Sequence, residues 1–102
     1  MNEKTASLFL EDAYEAAREA AQSLMSLKGF KPYSHEATIS FIIQYYKKEF
    51  SEYEIAQFDR FRELRNNSVY KAEQVSIEDS LKCLEFAKSL INKIGKLSEK
   101  KN

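Results

Sequence analysis

Two glycines and one proline are all that a chain of 102 residues holds here, and Gly29 and Pro32 stand almost side by side. Tight β-hairpins use such residues at their reversals, so a many-stranded sheet has nowhere to turn. What remains is a set of long segments whose apolar residues recur at helical spacing. From about Lys4 to Lys28, the positions Phe9, Ala13, Ala16, Ala17, Ala20, Leu24 and Leu27 line one side of a helix rich in alanine, the best helix former. Gly29 and Pro32 supply its stop.

Ser34 is placed to cap a second helix, about His35 to Phe50, with Ile39, Ile42, Ile43, Tyr46 and Phe50 as its stripe. Its run ISFIIQYY also has strand character, but its length and the cap ahead of it favour helix. Ser51 and Glu54 have capping-box spacing and open a third helix, about Glu52 to Val69, with Ile55, Phe58, Phe61 and Leu64 inward. Tyr70 to Val75 reads as a loop. Ser76 and Asp79 form a second box, and the fourth helix follows to about Leu97, with Ile77, Leu81, Leu84, Ala87, Ile91 and Ile94 as its stripe. Short connections favour antiparallel neighbours. The expected fold is all-α: an antiparallel up-down four-helix bundle, one domain over residues 1–102 with an ordered core of about 4–97 and a polar tail.

Charge narrows the function classes. Sixteen basic residues balance sixteen acidic ones, so nucleic acid is not attracted by the chain as a whole, only by a local patch. A single cysteine, Cys83, excludes an intramolecular disulfide and a cysteine-based zinc site, and reads as a small core residue. One histidine, His35, leaves little scope for a transition metal, so no metal ligand and no cofactor is expected. The N-terminus lacks the basic and apolar runs of a signal peptide, and no segment approaches a membrane span. A cytoplasmic location with no membrane association is the expectation.

The chemistry concentrates in Arg60-Phe61-Arg62-Glu63-Leu64-Arg65-Asn66-Asn67-Ser68-Val69-Tyr70. Arg65 lies one helical turn from Phe61 and two from Phe58, on the apolar stripe, where a guanidinium must be paired or must face a groove or an interface. Arg60 and Arg62 fall on other faces and read as solvated. Two amides, a hydroxyl and a phenol follow Arg65, a set suited to a phosphate. The alternative is that Arg65 caps carbonyls or pairs with a glutamate while Asn66 and Asn67 end the helix. Elsewhere Glu11, Asp12, Glu15 and Glu19 read as a solvated acidic face, and Tyr45 and Tyr46 as core and rim. Lys96, Lys100 and Lys101 suit the dipole of the last helix.

Taken in order, EDAYEAAREAAQSLMSLKGFKP, the pair Ser34-His35, LRNNSVY and VSIEDSLKCLEFAKSLINKI resemble a branch of uncharacterised prokaryotic HEPN proteins, over about residues 8 to 95. Arg65-Asn66 matches the family's arginine and following Asn, and Tyr70 stands where a histidine is expected after four residues. The resemblance implies a helical bundle acting as a homodimer, with Arg65, Asn66 and Tyr70 binding RNA or a nucleotide phosphate in a dimer groove. It further implies a nucleotidyltransferase partner, as in toxin–antitoxin relatives.

Active members of the family are metal-independent endoribonucleases that pair Arg with His. Tyrosine's reference pKa near 10, against about 6.5 for histidine, suits it poorly to proton transfer, so little or no nuclease activity is expected. Tyrosine still serves to orient or stack on a base. His35 reads as a surface or local structural histidine. The tyrosine that partners modify in toxin-type relatives corresponds to Ala72, so that regulation does not carry over. The family's usual domain has a further helix ahead of the one that starts here, which implies a shortened version or a bundle completed by a partner. Two other readings stand beside this one: a helical dimerisation module without ligand, in which Arg65 and Tyr70 tie the dimer together, and an active endoribonuclease.

Overall fold

Each helix begins where the sequence supplies an acceptor for its free amides. The computed structural model describes residues 2–31 and 34–99, and every regular element among them is helical. These are α1 (Glu3–Leu27), α2 (His35–Tyr46), α3 (Glu52–Lys71) and α4 (Ile77–Glu99). Ser34 Oγ accepts from the Ala37 amide, and Ser51 and Glu54 close the expected box, at 3.1 and 3.0 Å. Ser76 Oγ accepts from the Asp79 amide, but the Asp79 carboxylate takes Arg60 of α3 instead of reaching back, so half of the second box forms. A box the sequence reading did not foresee, Asn2 with Thr5, starts α1. Each such cap is worth about 1 kcal/mol.

The helix ends differ from expectation in two places. α2 stops at Tyr46, one turn early; a turn at 47–49 then brings Phe50 into the core ahead of the Ser51 cap. α3 runs through Tyr70 to Lys71, so the residues after Val69 are not yet loop. Nothing at Val69 or Tyr70 breaks a helix; the stop comes at Ala72, which is left-handed at φ 55°. Its amide and that of Glu73 both donate to the Asn67 carbonyl. At the end of α1 the equivalent left-handed position, φ 82°, falls on Gly29, which adopts it without steric cost. Pro32, Lys100 and Lys101 lie outside the described residues.

The buried stripes are rotated from those expected. Phe9, Ala16, Leu27, Ile43, Leu81 and Ile91 face out, while Ala6, Leu10, Ala21, Thr38, Phe41, Ser80, Cys83 and Leu90 are buried. Ala6, Ala21, Thr38, Ser80 and Cys83 among them are small, and small side chains let helices approach. The Ser80 hydroxyl donates to the Ala6 carbonyl, and Cys83 Sγ lies 3.9 Å from the Leu10 carbonyl oxygen. Thr38 turns its hydroxyl back to the Ser34 carbonyl at 3.0 Å. Phe58, Phe61 and Phe86 fill the space between α3 and α4.

The chain is thus an all-α four-helix bundle, but its helices do not simply alternate. Contacts rise together along α1 and α4, Ala6 with Ser80 and Leu10 with Cys83, so these two run the same way. α3 opposes α4, since Arg60 pairs with Asp79 and Glu54 with Lys93. Seven residues separate α1 from α2, a reach of up to about 24 Å. His35 sits against Tyr14, thirteen residues or about 20 Å back from Leu27 along α1. A short connection therefore does not force a neighbour to reverse. At the far end Lys93 clamps α4 to the start of α3, donating to Glu54 at 2.7 Å and to the Glu49 carbonyl. The α1–α4 pair has α3 on one side; by helical position its other side carries the exposed Phe9 and Leu27 with Ile91, and nothing among the described residues covers it.

An L-residue in the left-handed region costs roughly 1–2 kcal/mol, and glycine relieves most of it. Ala72→Gly is expected to stabilise the fold by about 1 kcal/mol, read as a rise in urea midpoint at unchanged m-value.

Candidate functional site

Helix α3 presents a polar stripe, Asp59, Arg62, Asn66 and Tyr70, at three- and four-residue spacing, with Arg65 beside it. Across from it α1 offers Tyr14, Glu15 and Arg18, and the start of α2 brings His35 and Glu36. All of these but Asp59 line a cleft of about 470 Å³. Arg65, Asn66 and Tyr70, the residues singled out from sequence, all border it. Tyr70 is 74% exposed, at the mouth, while the Arg65 side chain is only 23% exposed.

Arg65 meets both alternatives drawn from sequence at once, a carboxylate and a groove. Its Nη2 lies 3.3 Å from Glu15 Oε1, and Nη1 donates to Asn66 Oδ1 at 3.1 Å. The other Glu15 oxygen takes Arg18 Nη2. Glu15 is therefore not part of a solvated acidic face. Nor is Arg62 solvated: its side chain is 26% exposed, with Nε on Asp59 Oδ1 at 3.1 Å and Nη2 3.7 Å from Glu63. Arg60 stays largely in solvent beside Asp79. Tyr46 is core and Tyr45 rim, with the Lys28 ammonium over both rings.

His35 is a nine-tenths buried local partner rather than a surface residue. Its Nδ1 lies 2.9 Å from the Tyr14 hydroxyl, and its ring meets Phe58 edge-on. Burial pushes the Tyr14 phenol up to about 12, against the lowering by Arg18, so it stays protonated and donates to Nδ1. The imidazole proton then belongs on Nε2. Asp59 Oδ1 is 3.3 Å from that nitrogen but poorly aligned, and Nε2 has no hydrogen-bond partner. Burial first, then Arg62, holds His35 below its usual value of 6.5, against the upward pull of Asp59.

Arg18 Nε and Arg65 Nε are likewise buried without a partner. The three nitrogens belong to residues that line one cleft. Leaving such a group unpaired costs roughly 1–3 kcal/mol. Among the described residues no cluster of three His, Cys, Asp or Glu could hold a metal ion, and no helix is long and apolar enough to cross a membrane.

Sequence reasoning missed Tyr14, Glu15, Arg18 and Arg62 as members of the site. The signal that could have found them is the one-turn spacing of Tyr14 and Arg18 and the polar stripe Asp59-Arg62-Asn66. Compared with known proteins, the chain matches no family model, no curated protein and no solved structure.

The unfolded chain's His35 titrates near 6.5 and the folded one lower. Between those values the unfolded state takes up the proton and the folded state does not. Stability is therefore expected to fall as pH drops below about 6.5, and His35→Gln to remove that dependence, checked by urea denaturation across this range. No other histidine exists to mask the effect.

Proposed function

We propose that this chain is a HEPN-like protein that binds RNA or a nucleotide phosphate through Arg65, Asn66 and Tyr70, with Arg18 and Arg62 beside them. The observation that carries the reading is the single cleft into which three guanidiniums converge, two of them with an unpartnered buried Nε. Arginine forks match phosphate oxygens, Asn66 adds an amide, and the exposed Tyr70 ring can stack on a base. In the homodimer that belongs to the same proposal, Arg65, Asn66 and Tyr70 of this cleft border the groove between protomers. A nucleotidyltransferase partner belongs to the same proposal and rests on the family resemblance alone.

Binding is favoured over cleavage. His35 is the only imidazole, and it lies deep, with Nδ1 already bonded to Tyr14. Tyr70 is an exposed phenol at the mouth. The second reading, a dimerisation or interaction module, draws on the uncovered apolar side of the α1–α4 pair, where Phe9, Leu27 and Ile91 are exposed.

The expected result is that wild-type protein binds a short single-stranded RNA, measured by fluorescence anisotropy without divalent metal, and leaves it intact. Arg65→Ala should weaken binding by roughly 10- to 100-fold, the value of charge-assisted hydrogen bonds. No binding by wild type, or an Arg65→Ala variant that binds equally well, would overturn the reading. If the module reading holds instead, wild type does not bind the RNA, and Ile91→Glu lowers the sedimentation coefficient of an otherwise dimeric protein.

A further inference from the structure

Glu15 stands between two guanidiniums, with Oε2 on Arg18 and Oε1 3.3 Å from Arg65. One carboxylate thus answers two positive charges. The third guanidinium, Arg62, has Asp59 and Glu63 of its own helix, and Glu36 lies on the lining of the cleft. The buried Nε atoms of Arg18 and Arg65 remain unpartnered, as does His35 Nε2. Glu15 therefore fills the anion position between Arg18 and Arg65 without exhausting its donors or balancing its charge.

On the phosphate reading of the cleft, on which this step rests, we propose that Glu15 is an internal stand-in for the ligand, and that the cleft selects terminal phosphomonoesters over internal phosphodiesters. A diester carries one negative charge, the same as Glu15. It would have to displace a tethered carboxylate that is present at high effective concentration, and it brings no extra charge to do so. A monoester carries about −1.5 to −2 at neutral pH and a third terminal oxygen. It matches both arginines once Glu15 swings out, and its additional oxygen is a further acceptor for their guanidinium groups. The ligand class is then a nucleotide or an RNA end bearing a phosphomonoester.

The test compares one short RNA with a 5′-phosphate and the same RNA with a 5′-hydroxyl, each against wild type, Glu15→Gln and Arg18→Gln. Wild type is expected to prefer the phosphorylated RNA by about tenfold or more. Glu15→Gln should tighten binding of that RNA, because the competitor is removed. Arg18→Gln should erase most of the preference. Thermal unfolding of each variant establishes that it is folded, and Arg18→Gln provides a second readout should Glu15→Gln not fold. Equal binding of the two RNAs by wild type, with binding still lost in Arg65→Ala, would overturn this inference and leave the phosphate reading standing. Weaker binding by a folded Glu15→Gln would overturn it also. No binding of either RNA by wild type and by Glu15→Gln would overturn both.

Discussion

Everything in this molecule depends on how closely α1 and α4 approach. A hydroxyl of one helix reaches a backbone carbonyl of the other, Ser80 to Ala6, which is possible only where side chains are small. Ala6, Ala13, Ala17 and Ala21 on one helix and Ser80, Cys83 and Ala87 on the other are all buried. Close packing of this kind replaces bulk with proximity, and dispersion contacts grow with it. Because α4 covers this side of α1, the side bearing Tyr14, Glu15 and Arg18 is left to meet α2 and α3. The cleft is a consequence of the seam.

The charged groups of that cleft are paired but not fully hydrogen-bonded. Each arginine has a carboxylate within 4 Å, yet two Nε atoms and one imidazole nitrogen find no partner. A protein selected for stability alone would have closed such a place with apolar residues, since buried ion pairs seldom repay their desolvation. Here charged groups stay half-buried and incompletely bonded, at a cost borne by the rest of the fold.

How much of this was legible in the sequence can be read residue by residue. The helices were, because Ser34, Ser51 and Ser76 announce their starts and so few residues interrupt them. The pairing of Arg65 with its surroundings was half legible: its place beside Phe58 and Phe61 demanded a carboxylate or a groove, without saying which, and both are present. The burial pattern was not, because hydrophobicity ranks Phe9 and Ile91 above Ser80 and Thr38, while packing ranks by size and by access to a free carbonyl. Nor was the direction of α2, since a connection long enough to reach back along α1 looks the same in sequence as one that merely turns. Arg18 escaped notice for a related reason. It becomes a neighbour of Arg65 only through the tertiary packing of α1 on α3.

The parallel α1–α4 seam also sets the order in which this chain can acquire its structure during synthesis. Helix α1 leaves the ribosome ahead of its main partner α4, which follows some seventy residues later by the spacing of Ala6 and Ser80. Until α4 emerges, the alanine-lined face of α1 has no surface to close against, and the loop to be closed spans nearly the whole chain. The N-terminal half therefore stays open to chaperones or to premature association for longer than in a bundle built from successive hairpins. A chain interrupted before α4 would lack the larger part of the core that holds α1, and with it the wall of the cleft that carries Glu15 and Arg18.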